Sequence, residues 1–174
     1  MATLDLPELI QDFNMYLDGN RLFGITSTVN LPDLEAMTQT ISGTGILGEY
    51  EAAALGHFGA MEQEIPFRVI NDDYFKLIDP IGSLNLTLRG AIQLEDKTVM
   101  AKGGVGMRIV YRGHVKKIAL NRAEQRNFME ATIAFDATYY MVELAGVQRI
   151  ELDKLNSIYR VNGTDVLAYM RTLI

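Results

Sequence analysis

Long stretches of the chain alternate apolar and polar residues with a period of two, which is the pattern of a half-buried β-strand. Ser83–Glu95 is the clearest stretch, because four leucines and an isoleucine face one way and polar side chains face the other. Similar alternation runs through Glu62–Ile70, Val105–Val115 and Phe128–Leu144, and Val147–Asp153 follows as a shorter strand. The predicted apolar face of the longest of these strands carries Met129, Ala131, Ile133, Phe135 and Tyr139. These segments together predict a mainly β fold, a β-sandwich or barrel.

Interruptions in the alternation predict where the strands turn, bend or reach a sheet edge. Asp18-Gly19-Asn20 tolerates positive φ and predicts a hairpin that joins Asp12–Leu17 to Arg21–Asn30. Pro66 has no N–H to donate, so its strand is expected at a sheet edge or at a break in the sheet. A change of phase at Lys116-Lys117 predicts a β-bulge in the strand that contains it.

Helical patterns are short and few. Asn71 and the two aspartates after it are good N-caps, so a short flanking helix is expected at about residues 72–79, ended by Pro80. A second short helix is predicted near the C-terminus, where apolar residues recur at helical spacing after Asn162-Gly163.

Residues 42–60 break the strand pattern, because this segment holds five of the fifteen glycines. We expect a long loop, which in a compact domain is usually functional or disordered. Disordered segments are poor in large apolar residues, whereas this one contains Ile46, Leu47, Tyr50, Leu55 and Phe58. The loop is therefore expected to bury these side chains. It could do so as a lid on its own domain or, as we favour, in another chain.

The length of 174 residues suits a single domain over residues 1–174. The N-terminus lacks a signal-peptide pattern, and no apolar run is long enough to predict a membrane-spanning helix. The net charge of −6 is unevenly spread. Residues 1–80 carry 13 acidic and 3 basic residues, and residues 81–174 carry 9 acidic and 13 basic residues. Surfaces of opposite sign could dock copies of the same protein onto one another.

The chain offers little that would support catalysis or cofactor binding. It has no cysteine and only two histidines, His57 and His114, and neither belongs to a spaced set of metal ligands. Gly103-Gly104-Val105-Gly106 lacks the lysine and hydroxyl residue of a phosphate-binding loop and opens a strand rather than a helix. We expect no catalytic residue, metal or cofactor, and no specific nucleic-acid site.

The order of motifs along the chain resembles the major tail tube protein family of contractile-tailed phages (myophages) and phage-tail-like bacteriocins. The resemblance covers essentially the whole chain, although no single motif is diagnostic. The matching segments are Asn14–Gly19, Gly24, Val29–Leu34, Gly43–Gly45, the predicted helix Asp73–Asp79, Tyr111–Gly113, Thr138–Tyr140 and, most strongly, Ile150–Asp165.

The resemblance implies a structural subunit that is not an enzyme. Its fold would be a β-sandwich with a flanking helix, and six copies would form a ring whose inner strands join into one β-barrel. Rings would stack into a tube inside a contractile sheath, with baseplate and tail-terminator proteins as further partners and no membrane anchor. The implied location is a virion tail or phage-tail-like particle assembled in the bacterial host cytoplasm, and in phages DNA passes through the lumen.

Within that frame, residues 42–60 are expected to form an extended inter-ring loop whose contacts come from the five large apolar residues named above. The polar faces of the long strands predict a lumen lined in part by Glu130, Thr132, Asp136 and Thr138, with acidic charge in excess. Two alternatives stay open from the residues. One is the ring-forming tube protein of a type VI secretion system, and the other is a monomeric β-barrel that binds a small ligand under a lid.

Overall fold

The computed structural model describes residues 5–79, 81–98 and 100–173. Within these ranges the chain forms eleven strands and two short helices. In chain order they are β1 (Asp5–Leu17), β2 (Asn20–Arg21), β3 (Ala36–Ser42), β4 (Glu49–Phe58), β5 (Glu62–Phe67), α1 (Asp72–Lys76), β6 (Leu84–Asp96), β7 (Lys102–Ala119), β8 (Ala131–Leu144), β9 (Val147–Asp153), β10 (Ile158–Val161), β11 (Thr164–Asp165) and α2 (Ala168–Arg171). The prediction of a mainly β fold is confirmed.

Nine of the strands form one antiparallel sheet in the order β11-β10-β9-β8-β7-β6-β1-β2, with β5 also paired to β8. Two strands pair with the same edge of β8. Strand β5 pairs with its first half and β9 pairs with its second half. The change occurs around Thr138, where β8 has a bulge against β7. There the Ala137 N–H donates to the Met61 carbonyl at 2.8 Å, and the Lys154 N–H donates to the Thr138 carbonyl at 3.0 Å.

Backbone hydrogen bonds close the sheet on itself. After β2 the chain crosses to β5, where the Arg68 N–H donates to the Gly24 carbonyl at 2.8 Å and the Thr26 N–H donates to the Pro66 carbonyl at 3.0 Å. An isolated bridge between Ile25 and Phe67 lies between these bonds. Strands β1, β2, β5, β8, β7 and β6 therefore surround a common interior as a small barrel, which leaves few exposed strand edges around that interior.

Large side chains fill the barrel. Phe67, Tyr74, Tyr111 and Phe135 are completely buried, and their rings meet edge to face in the pairs Phe67–Tyr74 and Tyr111–Phe135. Helix α1 contributes Tyr74 because Asn71 caps it, accepting the Tyr74 N–H at 2.9 Å. Burial of each such ring stabilises the fold by about 1.5–3 kcal/mol. These rings occupy the interior in which the alternative ligand-binding barrel would need an apolar cavity.

Several local predictions are confirmed. The stretch Ser83–Glu95 corresponds to β6, whose first three leucines are buried. Strand β7 has the predicted bulge, because the pairing with β8 skips a residue between Val115 and Lys117. Asp18 and Gly19 form the hairpin turn with φ of 48° and 86°, and β5, the strand of Pro66, pairs with no named strand except β8 among the described residues.

Other predictions are wrong in ways that have physical reasons. Arg21–Asn30 is not a full strand, because only Asn20–Arg21 pairs with β1 before the chain crosses to β5. Helix α1 ends at Lys76, and its predicted terminator, Pro80, lies outside the described residues. The bulge at Thr138 shifts the pleat by one residue, so Tyr140 faces the core in place of Tyr139.

Candidate assembly surfaces

The predicted loop 42–60 is instead part of a β-hairpin that stands apart from the main sheet. Strands β3 and β4 pair only with each other within the described residues, and the chain reverses over residues 43–48. Gly45 and Gly48 have φ of 92° and 99° in this reversal, a conformation that glycine adopts without strain. We call residues 36–58 the arm. Three of the five glycines that suggested an irregular loop, Gly43, Gly45 and Gly48, therefore lie at the turn of a hairpin.

The arm exposes apolar side chains and carries two carboxylates. Leu47 at the tip is fully exposed, and Met37, Ile46, Tyr50 and Leu55 are also exposed. The arm contains Glu49 and Glu51 but no lysine or arginine. An isolated two-stranded hairpin is marginally stable in water, and packing against other elements usually stabilises it. The arm therefore has the composition of a surface that a partner covers.

The base of the arm is fastened to the C-terminal part of the chain. Between the pairs Ala36–Phe58 and Thr38–Ala53, β4 carries extra residues that bulge out of the hairpin. Gly56 lies in this bulge with φ of 78°, and Leu167 packs directly against it. The Lys154 ammonium donates to the Gly59 carbonyl at 2.5 Å just beyond the bulge. A cavity of about 290 Å³ separates the rest of the bulge from α2.

Of the five residues expected to make inter-ring contacts, four are exposed on the arm and one is not. Ile46, Leu47, Tyr50 and Leu55 are available to a partner. Phe58 is half-buried and meets the Tyr159 ring of the same chain edge to face, with the ring centres 5.1 Å apart. Phe58 is therefore less available to another chain than the other four residues, because its ring also packs within its own subunit.

The residues predicted to face the lumen lie at or near the outer face of β8. Thr132, Asp136 and Thr138 alternate with buried residues and are half-buried, and the Thr138 hydroxyl donates to the Arg112 carbonyl at 3.3 Å. Glu130 does not share their strand, because β8 begins at Ala131 and Glu130 precedes it with φ of 54°. The prediction that Glu130 lies in this strand is therefore wrong.

The charges around Asp136 are mixed rather than uniformly acidic. Its cross-strand neighbours are Glu62 on β5 and His114 on β7. Lys116 hydrogen-bonds to Glu62, and this hydrogen bond, the charge of Glu62 and the nearby charge of Asp136 raise the pKa of Lys116. The outer face of β8 is polar, as predicted, but it includes a cation beside the carboxylates.

A ladder of polar contacts that the sequence did not reveal crosses the other half of the outer face. The Arg112 guanidinium lies 4.3 Å from the centre of the Tyr139 ring. The Tyr139 hydroxyl donates to Glu151 at 3.1 Å, and Arg160 donates to the same carboxylate at 2.8 Å. Burial, followed by the proximity of Glu151, raises the pKa of Tyr139. The ladder depends on the bulge at Thr138, which simple alternation does not predict.

The structure contains no cluster of three or more potential metal-ligating His, Asp or Glu side chains in the described part of the chain. No helix within the described ranges is long and apolar enough to cross a membrane.

Comparison with known proteins decides the family. Residues 7–174 match the family described as phage tail tube protein FII. The chain belongs to this tail tube family. The tail tube protein of Escherichia phage P2 is 25% identical over 171 residues, covering 95% of this chain and 96% of the relative. The major tail tube protein of Serratia phage KSP20 is 27% identical over 164 residues, covering 92% and 91%.

A solved structure supports the fold of this tail tube protein independently. It is the sheath/tube terminator of an extracellular contractile injection system in its extended state, determined by cryo-electron microscopy. It superposes with a TM-score of 0.55 at 9% identity, covering 80% of this chain and 99% of the terminator. The resemblance inferred from the sequence motifs is therefore confirmed at the level of family and fold.

Proposed function

We propose that this tail tube protein is a structural subunit, without catalytic activity, of the inner tube of a contractile phage tail or phage-tail-like particle. Six copies form a ring, and rings stack into a hollow tube. Sheath contraction then drives the tube through the bacterial envelope. The observation that carries the proposal is the arm, because it exposes apolar side chains in a chain whose family match covers residues 7–174.

Contacts within a ring are assigned to the two ends of the main sheet. Strand β1 pairs with β6 on one side, but its other side is unpaired from Leu6 to Asn14 among the described residues. At the opposite end of the strand order, β11 has only β10 as a strand neighbour in the same part of the chain. Pairing the two ends across subunits would remove exposed strand edges and build one continuous inner barrel. A contact that joins two different surfaces closes into a ring when its rotation allows.

Contacts between rings are assigned to the arm. Its exposed Ile46, Leu47, Tyr50 and Leu55 would be buried against the next ring. The lumen would be lined by the polar outer face of β8, including Thr132, Asp136 and Thr138, with Glu130 at its border. Such a wall has few of the cations that bind phosphate strongly, so DNA could pass without a specific binding site.

The proposed partners are further copies, the tail sheath protein, and baseplate and tail-terminator proteins. The proposed location is the virion tail or particle, after assembly in the host cytoplasm. Electron microscopy of the concentrated protein tests the function. We expect hollow rods of uniform diameter and, when the sheath protein is co-expressed, wider rods that contain both proteins. Only monomers at every concentration would contradict the proposal.

A further inference from the structure

A groove runs along the unpaired side of β1. Its walls are residues 10–15 of β1, residues 21–29 and Arg68, and its volume is about 560 Å³. Ile10 and Phe23 are exposed at its walls, and Phe23 keeps 59% of its surface accessible. We call this feature the β1 groove. It combines apolar side chains with a strand edge whose backbone groups have no partner strand in the described structure.

The β1 groove holds two of the three basic residues among residues 1–80, Arg21 and Arg68. Arg21 lies over the exposed Phe23 ring at 5.3 Å, and Arg68 lies over the exposed Phe128 ring at 5.6 Å. Within the described ranges neither guanidinium forms an ion pair. Asp12 is the acidic residue in the wall, and its carboxylate accepts the Phe13 N–H at 2.8 Å.

The tip of the arm has the complementary chemistry. Glu49 and Glu51 flank the exposed Tyr50 close to Leu47, and neither carboxylate is ion-paired in the part of the chain that the structure describes. An acidic, apolar hairpin therefore matches a basic, apolar groove. Charge complementarity selects partner and register, while burial of exposed apolar side chains contributes affinity.

We infer that the β1 groove of one copy receives the arm tip of a second copy, with Leu47 and Tyr50 against Phe23 and with Glu51 near Arg68. This inference rests on the proposed function and specifies the surface on which the arm lies. It links the inter-ring contact to the strand that also makes the proposed contact within a ring. A subunit placed correctly in its ring therefore presents a complete receptor for the next ring.

Disulfide trapping tests the inferred contact directly, because the natural chain has no cysteine. The variant Leu47→Cys/Phe23→Cys should, on oxidation of assembled rods, give a ladder of covalent multimers on non-reducing gels. The matched control is Leu47→Cys/Leu155→Cys, since Leu155 is strongly exposed but outside the groove. A ladder at least about tenfold stronger than in the control supports the inference. Equal ladders, or a cross-link confined to single chains, would overturn it.

Charge exchange supplies an independent readout. Arg68→Glu and Glu51→Arg should each raise the protein concentration needed for sedimenting rods by roughly tenfold, because each places like charges in contact. The double variant should restore most of the loss, and circular dichroism should show all three variants folded. If the natural chain forms rods but the double variant assembles no better than the single variants, the inferred groove contact is refuted and the proposed function is not. Absence of rods from the natural chain would instead refute the proposed function.

Discussion

Leu167 lies so close to Gly56 that a β-carbon built on the glycine would come within 2.7 Å of the leucine Cδ2. The glycine also has φ of 78°, so two separate constraints exclude a side chain there. The contact joins the bulge at the base of the arm to the residue that precedes α2. The direction in which the arm leaves the subunit is therefore set by the C-terminal segment.

Gly56→Ala should loosen both partners of this contact. Backbone strain and overpacking together should lower local stability by about 2 kcal/mol, or speed hydrogen exchange roughly thirtyfold, in residues 54–58 and in α2. Gly45→Ala is the control, because that glycine has φ of 92° but nothing within 4 Å of its β-carbon position. Its effect should stay within the tip of the arm. Unchanged exchange in α2 of Gly56→Ala would show that Leu167 does not hold the arm.

Asp73 should make stability depend on pH in the acid range. Its hydrogen bonds with Lys76 and with the Phe23 N–H lower the pKa of its carboxyl below the ordinary 3.8. A lowered folded-state pKa contributes stability above pH 3.8, and that contribution is lost as pH falls through the folded value. In urea unfolding, Asp73→Asn should be less stable than the natural chain at pH 7, and the difference should shrink below about pH 4. A difference that is constant with pH would contradict this.

Loss of the hydroxyl should affect the free energy of unfolding differently at Tyr111 and at Tyr139. The Tyr111 hydroxyl is buried and has no hydrogen-bond partner among the described residues, whereas the Tyr139 hydroxyl donates to Glu151 at 3.1 Å. Tyr111→Phe should leave the free energy of unfolding unchanged or raise it by up to about 1 kcal/mol, because it removes an unsatisfied polar group. Tyr139→Phe should lower it by about 0.5–1.5 kcal/mol. Urea unfolding of the two variants in parallel makes the comparison, and equal losses would contradict it.

The arm residues should separate assembly from folding. Leu47→Asp should prevent rod formation without changing the free energy of unfolding, because Leu47 is fully exposed in the subunit. Phe58→Asp should lower the free energy of unfolding by about 2 kcal/mol or more, since it removes the ring that packs on Tyr159. Sedimentation and urea unfolding together distinguish the two effects. Rods of normal length from Leu47→Asp would show that the tip makes no essential contact.

Period-two alternation was sufficient to predict long strands such as β6, because hydrogen-bonded neighbours on both sides hold its pleat regular through its buried leucines. Alternation does not predict the facing of β8 after Thr138, where the strand changes its partner from β5 to β9. A bulge there changes which residues face the core, and the alternation that precedes Thr138 gives no sign of it. Residues 42–60 are predicted as a loop because β4 and the residues beside it do not alternate cleanly. With no core beneath them, they have little reason to do so.

The candidate surfaces were only partly predictable for the same reason. Exposed apolar residues such as Leu47 can be recognised by their place in a glycine-rich segment. The β1 groove depends on Arg68, which is distant in sequence from β1 and reaches it only because the chain after β2 crosses to β5. Contacts created by chain crossing leave no local periodicity to detect.

The most direct test of assembly into a tube is the rotational symmetry of end-on views of the purified protein in electron micrographs. We predict closed rings of six subunits around an open lumen, stacked in side views with one arm bridging each pair of axially adjacent subunits. Particles the size of single subunits at every concentration, or rings whose arms point away from the neighbouring ring, would contradict it.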